Sequence, residues 1–312
     1  MDSYNLTEYR FPSADGSHTV YAEIYTPKHR TAKGIVQLSH GMTDYTGRYL
    51  ALAEHLTREG YIFAGHHHIG HGYTAGSDED LGYFGEKDGL DILVRDMHTM
   101  NRYLRETYPT LPLVVLGHSM GSFIARLYVL KHPHSEVGAI FHGTGGPNPL
   151  IPLGRLIAKV TGWIHGSRHR SRFITSMAFG SYNKRFPKEE GENAWLTREL
   201  SLVSGRAEDK FTNFTFTISG YRELFRMIAQ SNSKEWFRDY PREMPTLIIS
   251  GDMDPVGDYG KGPEYIYKRL MSEGHGPFSL KMYSGARHEL FNETNREEVC
   301  ADIVKWLGSI IR

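Results

Sequence analysis

One serine of the chain stands in a pattern suited to nucleophilic catalysis. Residues 117–121 read Gly-His-Ser-Met-Gly, which places Ser119 between two glycines that permit a sharp backbone turn. An apolar strand candidate, 113–116, comes directly before the pattern, and a helix candidate, 121–130, follows it. A serine hydroxyl is a poor nucleophile until a base removes its proton. Ser119 therefore requires a histidine and an acid from elsewhere in the chain.

Suitable partners follow two later strand candidates. His288 comes just after the predicted strand 278–283, and Asp252 and Asp254 come just after the predicted strand 245–250. Ligand-binding groups gather at the carboxyl ends of parallel strands, so these side chains can converge with Ser119. Both aspartates compete for the role of the acid. We favour Asp254, because it lies further into its loop and the following Pro255 stiffens it.

Hydrolysis of an acyl group also requires N–H donors for the developing oxyanion. One is expected from the backbone of Met120, the residue after the nucleophile. The other is expected from Met42, in the loop that follows the strand candidate 34–39. His40 and Gly41 in that loop, together with His118 beside the nucleophile, are candidates for contact with substrate.

The elements around these residues alternate between short apolar strands and amphipathic helices, which is typical of a mostly parallel sheet covered on both faces. Strand candidates are 34–39, 61–64, 113–116, 137–141, 245–250 and 278–283, and helix candidates are 49–58, 90–104, 121–130 and 296–311. A hairpin is predicted at the start, with strands 6–11 and 19–26. From 144 to 240 the alternation stops. We therefore predict an α/β core formed by 1–143 and 241–312, with 144–240 inserted as a helical cap.

Composition and charge limit the remaining classes of function. The chain has 312 residues with 36 Lys plus Arg and 36 Asp plus Glu, so no net field favours nucleic acid as a partner. The single cysteine, Cys300, cannot form an internal disulfide. Neither a secretory signal nor an apolar stretch long enough to span a bilayer is evident. We expect a cytoplasmic protein that needs no cofactor. The oligomeric state is left open.

A histidine-rich run after the strand candidate 61–64 invites an alternative, a metal site. His66, His68 and His71 imitate the H-x-H-x-D-H pattern of metallo-hydrolases, and such histidines can bind zinc. The aspartate position of that pattern is Gly70, however, and no downstream ligand set accompanies it. We therefore predict no catalytic metal.

Five motifs together resemble the α/β-hydrolase superfamily, in its branch of monoglyceride lipases, lysophospholipases and serine aminopeptidases (S33-like). These motifs are residues 40–42, 70–72, 117–121, 251–254 and 285–288. The resemblance implies an eight-stranded, mostly parallel sheet flanked by helices, with a helical cap over the site. It also implies hydrolysis through an acyl-enzyme, with the same triad and the same oxyanion donors. One departure is His67, which stands where such proteins usually have an aspartate.

The predicted cap suggests the substrate. Its first helix candidate, 150–164, is apolar apart from Arg155 and Lys159, which suits packing on the core or contact with a lipid surface. Phe214 and Phe216 could line an acyl tunnel. With the resemblance, this favours an ester of a small alcohol with a medium or long acyl chain, such as a monoacylglycerol or lysophospholipid. A small-ester carboxylesterase with the same triad is an alternative, and so is a serine aminopeptidase. The aminopeptidase would need acidic groups in the cap, which Glu189, Glu190 and Glu192 could supply.

Overall fold

The computed structural model describes residues 3–311, and these contain one eight-stranded sheet. Its strands are β1 (Tyr4–Pro12), β2 (Thr19–Pro27), β3 (Gly34–Ser39), β4 (Tyr61–His66), β5 (Leu113–His118), β6 (Gly138–His142), β7 (Thr246–Gly251) and β8 (Phe278–Tyr283). Their order is β1-β2-β4-β3-β5-β6-β7-β8. The pairs β1–β2 and β2–β4 are antiparallel, and every other pair is parallel. Residues 1, 2 and 312 of the predicted core segments lie outside the described residues.

The apolar runs become central strands because helices cover both faces of the sheet. Every residue of β3 to β7 is buried, and successive side chains point to opposite sides. One face packs against α1 (Leu50–Arg58) and α10 (Arg296–Ile310). The other packs against α2 (Gly89–Thr107), α3 (Met120–Lys131) and α9 (Lys261–Ser272). This architecture confirms the predicted fold class.

Five helices lie in the segment between β6 and β7. They are α4 (Ile151–His165), α5 (Arg172–Phe179), α6 (Leu200–Gly205), α7 (Ile218–Ser231) and α8 (Lys234–Asp239). The predicted limits of the cap, 144 and 240, fall between the end of β6 and the start of β7. Helix α7 packs on α2 and α3 of the core, and α4 packs on α7.

Helix α4 turns its small side chains inward and its large ones outward. Gly154, Ala158 and Gly162 recur every fourth residue, so they share one face of the helix. A Cβ on Gly154 would lie 3.2 Å from the Phe225 ring, and one on Gly162 would lie 3.0 Å from Ile218. The small residues thus let α7 approach closely. The apolar face that could have packed on the core is instead exposed, and Trp163 is 87% exposed.

Among the helices within residues 3–311, none is long and apolar enough to cross a bilayer.

Candidate active site

Ser119 occupies a strained turn between β5 and α3. Its backbone has φ 52° and ψ −120°, which is unusual for a residue other than glycine. The glycines on either side leave no room for a Cβ. On Gly121 it would lie 1.9 Å from the carbonyl oxygen of Ser39, and on Gly117 it would lie 2.4 Å from the carbonyl oxygen of Gly121. The G-x-S-x-G pattern is therefore a steric requirement of this turn.

The structure brings His288 and Asp254 together at the carboxyl ends of β8 and β7. Nδ1 of His288 lies 2.9 Å from Oδ2 of Asp254, and both side chains are buried. The other carboxylate oxygen of Asp254 accepts a hydrogen bond of 2.8 Å from the backbone N–H of Val256. Asp252 points elsewhere, because its Oδ1 accepts from the N–H of Gly285 at 2.7 Å. The geometry thus places one of the two candidate acids against the histidine.

Aromatic rings and the segment 144–240 hold the His288 imidazole in place. Its centroid lies 5.2 Å from the Trp195 ring and 4.8 Å from the His118 ring. The backbone N–H of Glu289, the next residue, donates to the carbonyl of Leu196 at 2.7 Å. Ser119 and His288 line one cavity of about 870 Å³, whereas Asp254 lies behind the histidine. The imidazole can therefore face a substrate on one side and a buried carboxylate on the other.

The two predicted oxyanion donors line the same cavity. Met120 is the first residue of α3, where backbone N–H groups have no partner within the helix. Met42 follows Gly41 in the loop after β3, and a Cβ on Gly41 would lie only 3.4 Å from the Cβ of Ser119. Within residues 3–311, neither methionine N–H has an assigned acceptor. Both donors are thus available beside Ser119.

Of the predicted contact residues in this region, Gly41 and His118 line the cavity, but His40 is fully buried behind it. Nε2 of His40 accepts from the backbone N–H of His68 at 3.0 Å, and its Nδ1 lies 2.9 Å from the carbonyl of Gly41. Burial lowers the pKa of His40 well below its usual value, so the ring is neutral. His40 therefore shapes the loop rather than touching the cavity.

A buried ionic network holds the loop that follows β3. Arg48 donates to Oδ1 of Asp44 at 3.0 Å and to both carboxylate oxygens of Glu289, at 3.0 and 2.7 Å. Burial alone would raise the pKa of Asp44, but Arg48, His40 and the Tyr49 hydroxyl together outweigh it and the pKa falls to about 2. The same competition, with Arg48 and Arg206 opposing burial, lowers the pKa of Glu289 to about 2. Both carboxylates are thus ionised at neutral pH.

Part of the cavity lining is apolar. The apolar side chains come from the core and from the segment 144–240, namely Phe123, Phe179, Phe214, Leu224, Ile228 and Val256. Phe216, the other phenylalanine proposed for an acyl tunnel, is fully buried and does not line the cavity. Its ring packs against those of Phe84 and His71, with centroids 5.1 and 5.4 Å away. Phe214 and Phe216 are two residues apart, which would place them on one face of a strand. This segment is not a strand, however, and the two side chains lie in different environments.

The histidine-rich run is a packed cluster in which His68 and His71 are hydrogen-bonded. Nε2 of His68 lies 3.1 Å from the hydroxyl of Ser39, and Nε2 of His71 accepts from the N–H of Thr43 at 3.3 Å. Among residues 3–311, no group of three or more His, Cys, Asp or Glu side chains is arranged to hold a metal ion. His67, in the position usual for aspartate, accepts from the N–H of Tyr73 at 3.0 Å. The His67 imidazole thus supplies a hydrogen-bond acceptor at the position where related proteins have a carboxylate.

Sequence reasoning missed the ionic network and Arg206, which joins it from the segment 144–240. Asp44 and Arg48 stand four residues apart, which is a weak signal of an ion pair. Glu289 and Arg206 carry no local signal, because they lie 83 positions apart and meet only in the folded chain.

Comparisons with known proteins agree with this geometry. The family model described as "Serine aminopeptidase, S33" matches residues 30–295. A monoglyceride lipase of Homo sapiens is 31% identical, with 90% of this chain and 83% of that protein covered. A monoacylglycerol lipase of Mycolicibacterium smegmatis is 27% identical over 99% of both chains. The crystal structure of a highly thermostable carboxyl esterase from Bacillus coagulans in complex with glycerol superposes with a TM-score of 0.92 at 32% identity, covering 98% of this chain and 99% of that one.

The family match spans most of the chain, and it includes the Ser119 turn, the His288 loop and the loop of Met42. The suspected resemblance is confirmed: this chain belongs to the serine aminopeptidase, S33 family and has the α/β-hydrolase fold.

Proposed function

We propose that this protein hydrolyses carboxylic esters of a small alcohol with a medium or long acyl chain, with Ser119, His288 and Asp254 as its triad. The observation that carries the proposal is the hydrogen bond from Nδ1 of His288 to buried Asp254, beside a serine held in a strained turn. With its Nδ1 proton directed at the carboxylate, the imidazole presents an unprotonated Nε2 to the cavity. A base is thus available where the nucleophile needs one.

The reaction proceeds in two acyl-transfer steps. The hydroxyl oxygen of Ser119 attacks the ester carbonyl carbon while Nε2 of His288 takes its proton. The backbone N–H groups of Met42 and Met120 stabilise the oxyanion. The histidine then protonates the departing alkoxide, and the acyl-enzyme forms. Water, deprotonated by the same histidine, attacks the acyl-enzyme and releases the carboxylic acid and the serine hydroxyl.

The shape and lining of the cavity support an acyl ester as substrate. Its lining offers aromatic and branched side chains from α3, α5 and α7, which suit a hydrocarbon chain. The polar residues Thr43, Thr212 and Asn213 also line it, and a polar lining suits a small polar alcohol. The segment 144–240, which supplies much of this lining, acts as the cap. The relatives named as monoglyceride or monoacylglycerol lipases make monoacylglycerol the first substrate to test.

The aminopeptidase alternative has less support. Of the three acidic residues proposed to hold an α-amino group, only Glu192 lines the cavity. Glu190 instead pairs with Arg287 at 2.7 Å, and Glu189 is exposed. The other carboxylates of the lining, Asp44, Asp78 and Glu289, are already paired with Arg48, Lys210 and Arg206. Of the three proposed residues, only Glu192 could therefore meet a free amino group.

Activity on a panel of acyl esters and amino-acid anilides, with Ser119→Ala as control, tests the proposal. We expect wild-type protein to cleave long-chain 4-nitrophenyl esters and monoacylglycerols and to react with a fluorophosphonate probe at Ser119. The variant should lose both properties, and a chelator should leave the activity unchanged. Labelling of the Ser119→Ala protein would mean that the nucleophile is wrong, and a preference for anilides would favour the aminopeptidase.

We further infer peripheral contact between the cap and a lipid surface. Leu153, Leu156, Val160 and Ile164 are exposed along α4 with Trp163, and basic Arg155 and Lys159 lie on the same helix. Exposed apolar side chains next to cations suit the boundary between acyl chains and head groups.

Sedimentation with vesicles of phosphatidylcholine containing phosphatidylglycerol tests this contact. Trp163→Ser should reduce binding, whereas Met271→Ser, at an exposed apolar residue of α9, should not. Equal binding by wild type and Trp163→Ser, or a concentration-dependent dimer that hides the helix, would contradict it. The cytoplasmic location stays a prediction, which cell fractionation would check.

A further inference from the structure

Thr43, the residue after Met42, has a backbone conformation that its side chain disfavours. Its φ is 48°, in the left-handed region that β-branched residues rarely adopt. Such a conformation persists only where surrounding contacts determine it. Two elements provide them here. The core contributes His71, whose Nε2 accepts from the N–H of Thr43 at 3.3 Å, and the cap contributes Arg206.

Arg206 follows α6 and reaches from the cap into the core. Its Nη2 donates to the carbonyl of Thr43 at 2.9 Å and to the Thr43 hydroxyl at 2.6 Å. Its Nη1 donates to Oε1 of Glu289 at 3.2 Å. The side chain is only 9% exposed, so these bonds are shielded from water. One planar guanidinium thus joins the loop after β3 to the loop that carries His288.

The peptide between Gly41 and Met42 carries the proposed oxyanion donor, and it lies between anchored neighbours. On one side the N–H of Gly41 donates to Oδ2 of Asp44 at 3.3 Å. On the other side Thr43 is fixed by His71 and Arg206. Release of Arg206 would leave the disfavoured conformation of Thr43 held by the core alone. Because an oxyanion donor must be preorganised to stabilise a transition state, such relaxation would slow the chemical step.

We propose that Arg206 is a positioning residue through which the cap sets the Met42 oxyanion donor. The inference rests on the proposed function, because it assigns the Met42 N–H to the oxyanion. It makes the placement of the cap part of catalysis as well as of substrate binding. When the cap lies against the core, Arg206 holds Thr43. When the cap is displaced, the Met42 N–H is no longer held in position for the oxyanion.

Arg206→Lys is the main test, because lysine keeps the charge balance of the ionic network but cannot reach Thr43 and Glu289 together as a fork. We expect kcat for a short ester, 4-nitrophenyl butyrate, to fall about tenfold or more while KM changes less than about threefold. The matched control is Arg198→Lys. Arg198 also binds the cap to the loop after His288, through Glu293 at 2.8 Å and Asn295 at 2.9 Å, but it is not bonded to Thr43. Its kcat should stay within about twofold.

The same substitution, made in a Thr43→Gly protein, separates a positioning role of Arg206 from a general effect on stability. In Thr43→Gly the left-handed φ is no longer disfavoured, so the residue depends less on Arg206. The loss caused by Arg206→Lys should therefore shrink to about threefold or less in this background, a non-additive double-mutant cycle. Activity is expressed per active site titrated with fluorophosphonate, so that partial unfolding does not enter kcat.

Each outcome decides the proposal. Equal losses in the two backgrounds, an effect on KM alone, or a loss matched by Arg198→Lys would overturn it. An active wild type with unchanged Arg206→Lys would overturn this inference and leave the proposed function standing. A wild type that neither reacts at Ser119 nor cleaves any ester would refute the proposed function itself, and the inference with it.

Discussion

Replacement of Asp254 by asparagine tests the proposed triad most directly. The carboxylate accepts from Nδ1 of His288 at 2.9 Å and from the N–H of Val256 at 2.8 Å, and the Ser250 hydroxyl lies 3.5 Å from the oxygen that faces His288. In Asp254→Asn the side-chain oxygen keeps the bond to Val256, which turns the NH2 group toward His288. Two donors cannot face each other, so Nδ1 loses its proton and the tautomer with a proton on Nε2 is favoured. That nitrogen can no longer accept the proton of Ser119.

The expected loss is large although the shape of the site is unchanged. A wrong histidine tautomer in a serine triad lowers kcat by about 10⁴, which corresponds to about 5.4 kcal/mol of transition-state stabilisation. The measurement is kcat for 4-nitrophenyl esters at neutral pH, per folded protein. Circular dichroism should show an unchanged fold, because the bond to Val256 remains.

The matched control is Asp252→Asn, two residues earlier in the same loop. Asp252 accepts from the N–H of Gly285 at 2.7 Å, and an amide oxygen can replace it there. We expect its kcat to stay within about threefold of wild type. A loss in Asp252→Asn as large as that in Asp254→Asn, or nearly full activity in the latter, would refute the assignment of the acid.

Three further predictions concern stability. Gly121→Ala should fold poorly or not at all, as judged by soluble yield and thermal melting, because its Cβ would lie 1.9 Å from the carbonyl oxygen of Ser39. Stability should fall as pH drops from about 6.5 toward 4, because burial lowers the pKa of His66 and of His71 to about 4 while the unfolded chain binds these protons near pH 6.5. At pH 5 each of these two histidines lowers the free energy of unfolding, as measured by urea titration, by about 2 kcal/mol. His66→Leu should remove about that penalty at pH 5, because within residues 3–311 neither of its ring nitrogens has a partner.

Controls for these predictions come from the same chain. Gly166→Ala, at a position with no atom within 4 Å of an added Cβ, should cost far less than Gly121→Ala, although its φ of 86° is also positive. His134→Leu, at an exposed histidine, should leave the pH dependence unchanged. A wild-type stability that stays flat between pH 7 and 5 would contradict the reasoning on buried imidazoles, and so would a His66→Leu protein with the wild-type pH dependence.

The core and the order of its elements were readable from the sequence. Buried parallel strands are short apolar runs, and amphipathic helices repeat their apolar residues every three or four positions. Both patterns are local, which is why the predicted helix 296–311 and the observed Arg296–Ile310 differ by one residue. The turn of Ser119 was readable for a similar reason, because only glycine fits at 117 and 121.

Which faces and distant side chains meet was decided only by the tertiary structure. The apolar residues of α4 predict a buried surface as readily as an exposed one. The outcome depends on Gly154 and Gly162, which let α7 approach the opposite face. Phe214 and Phe216 have the same chemistry, yet only Phe214 lines the cavity.

The sequence by itself thus determined the backbone turn of Ser119 and the elements on either side of it, because steric and periodic constraints act between residues close in the chain. The tertiary structure decided which acid meets His288 and that Arg206 of the cap meets Thr43. Those contacts join residues far apart in sequence, and no local pattern specifies how distant loops pack.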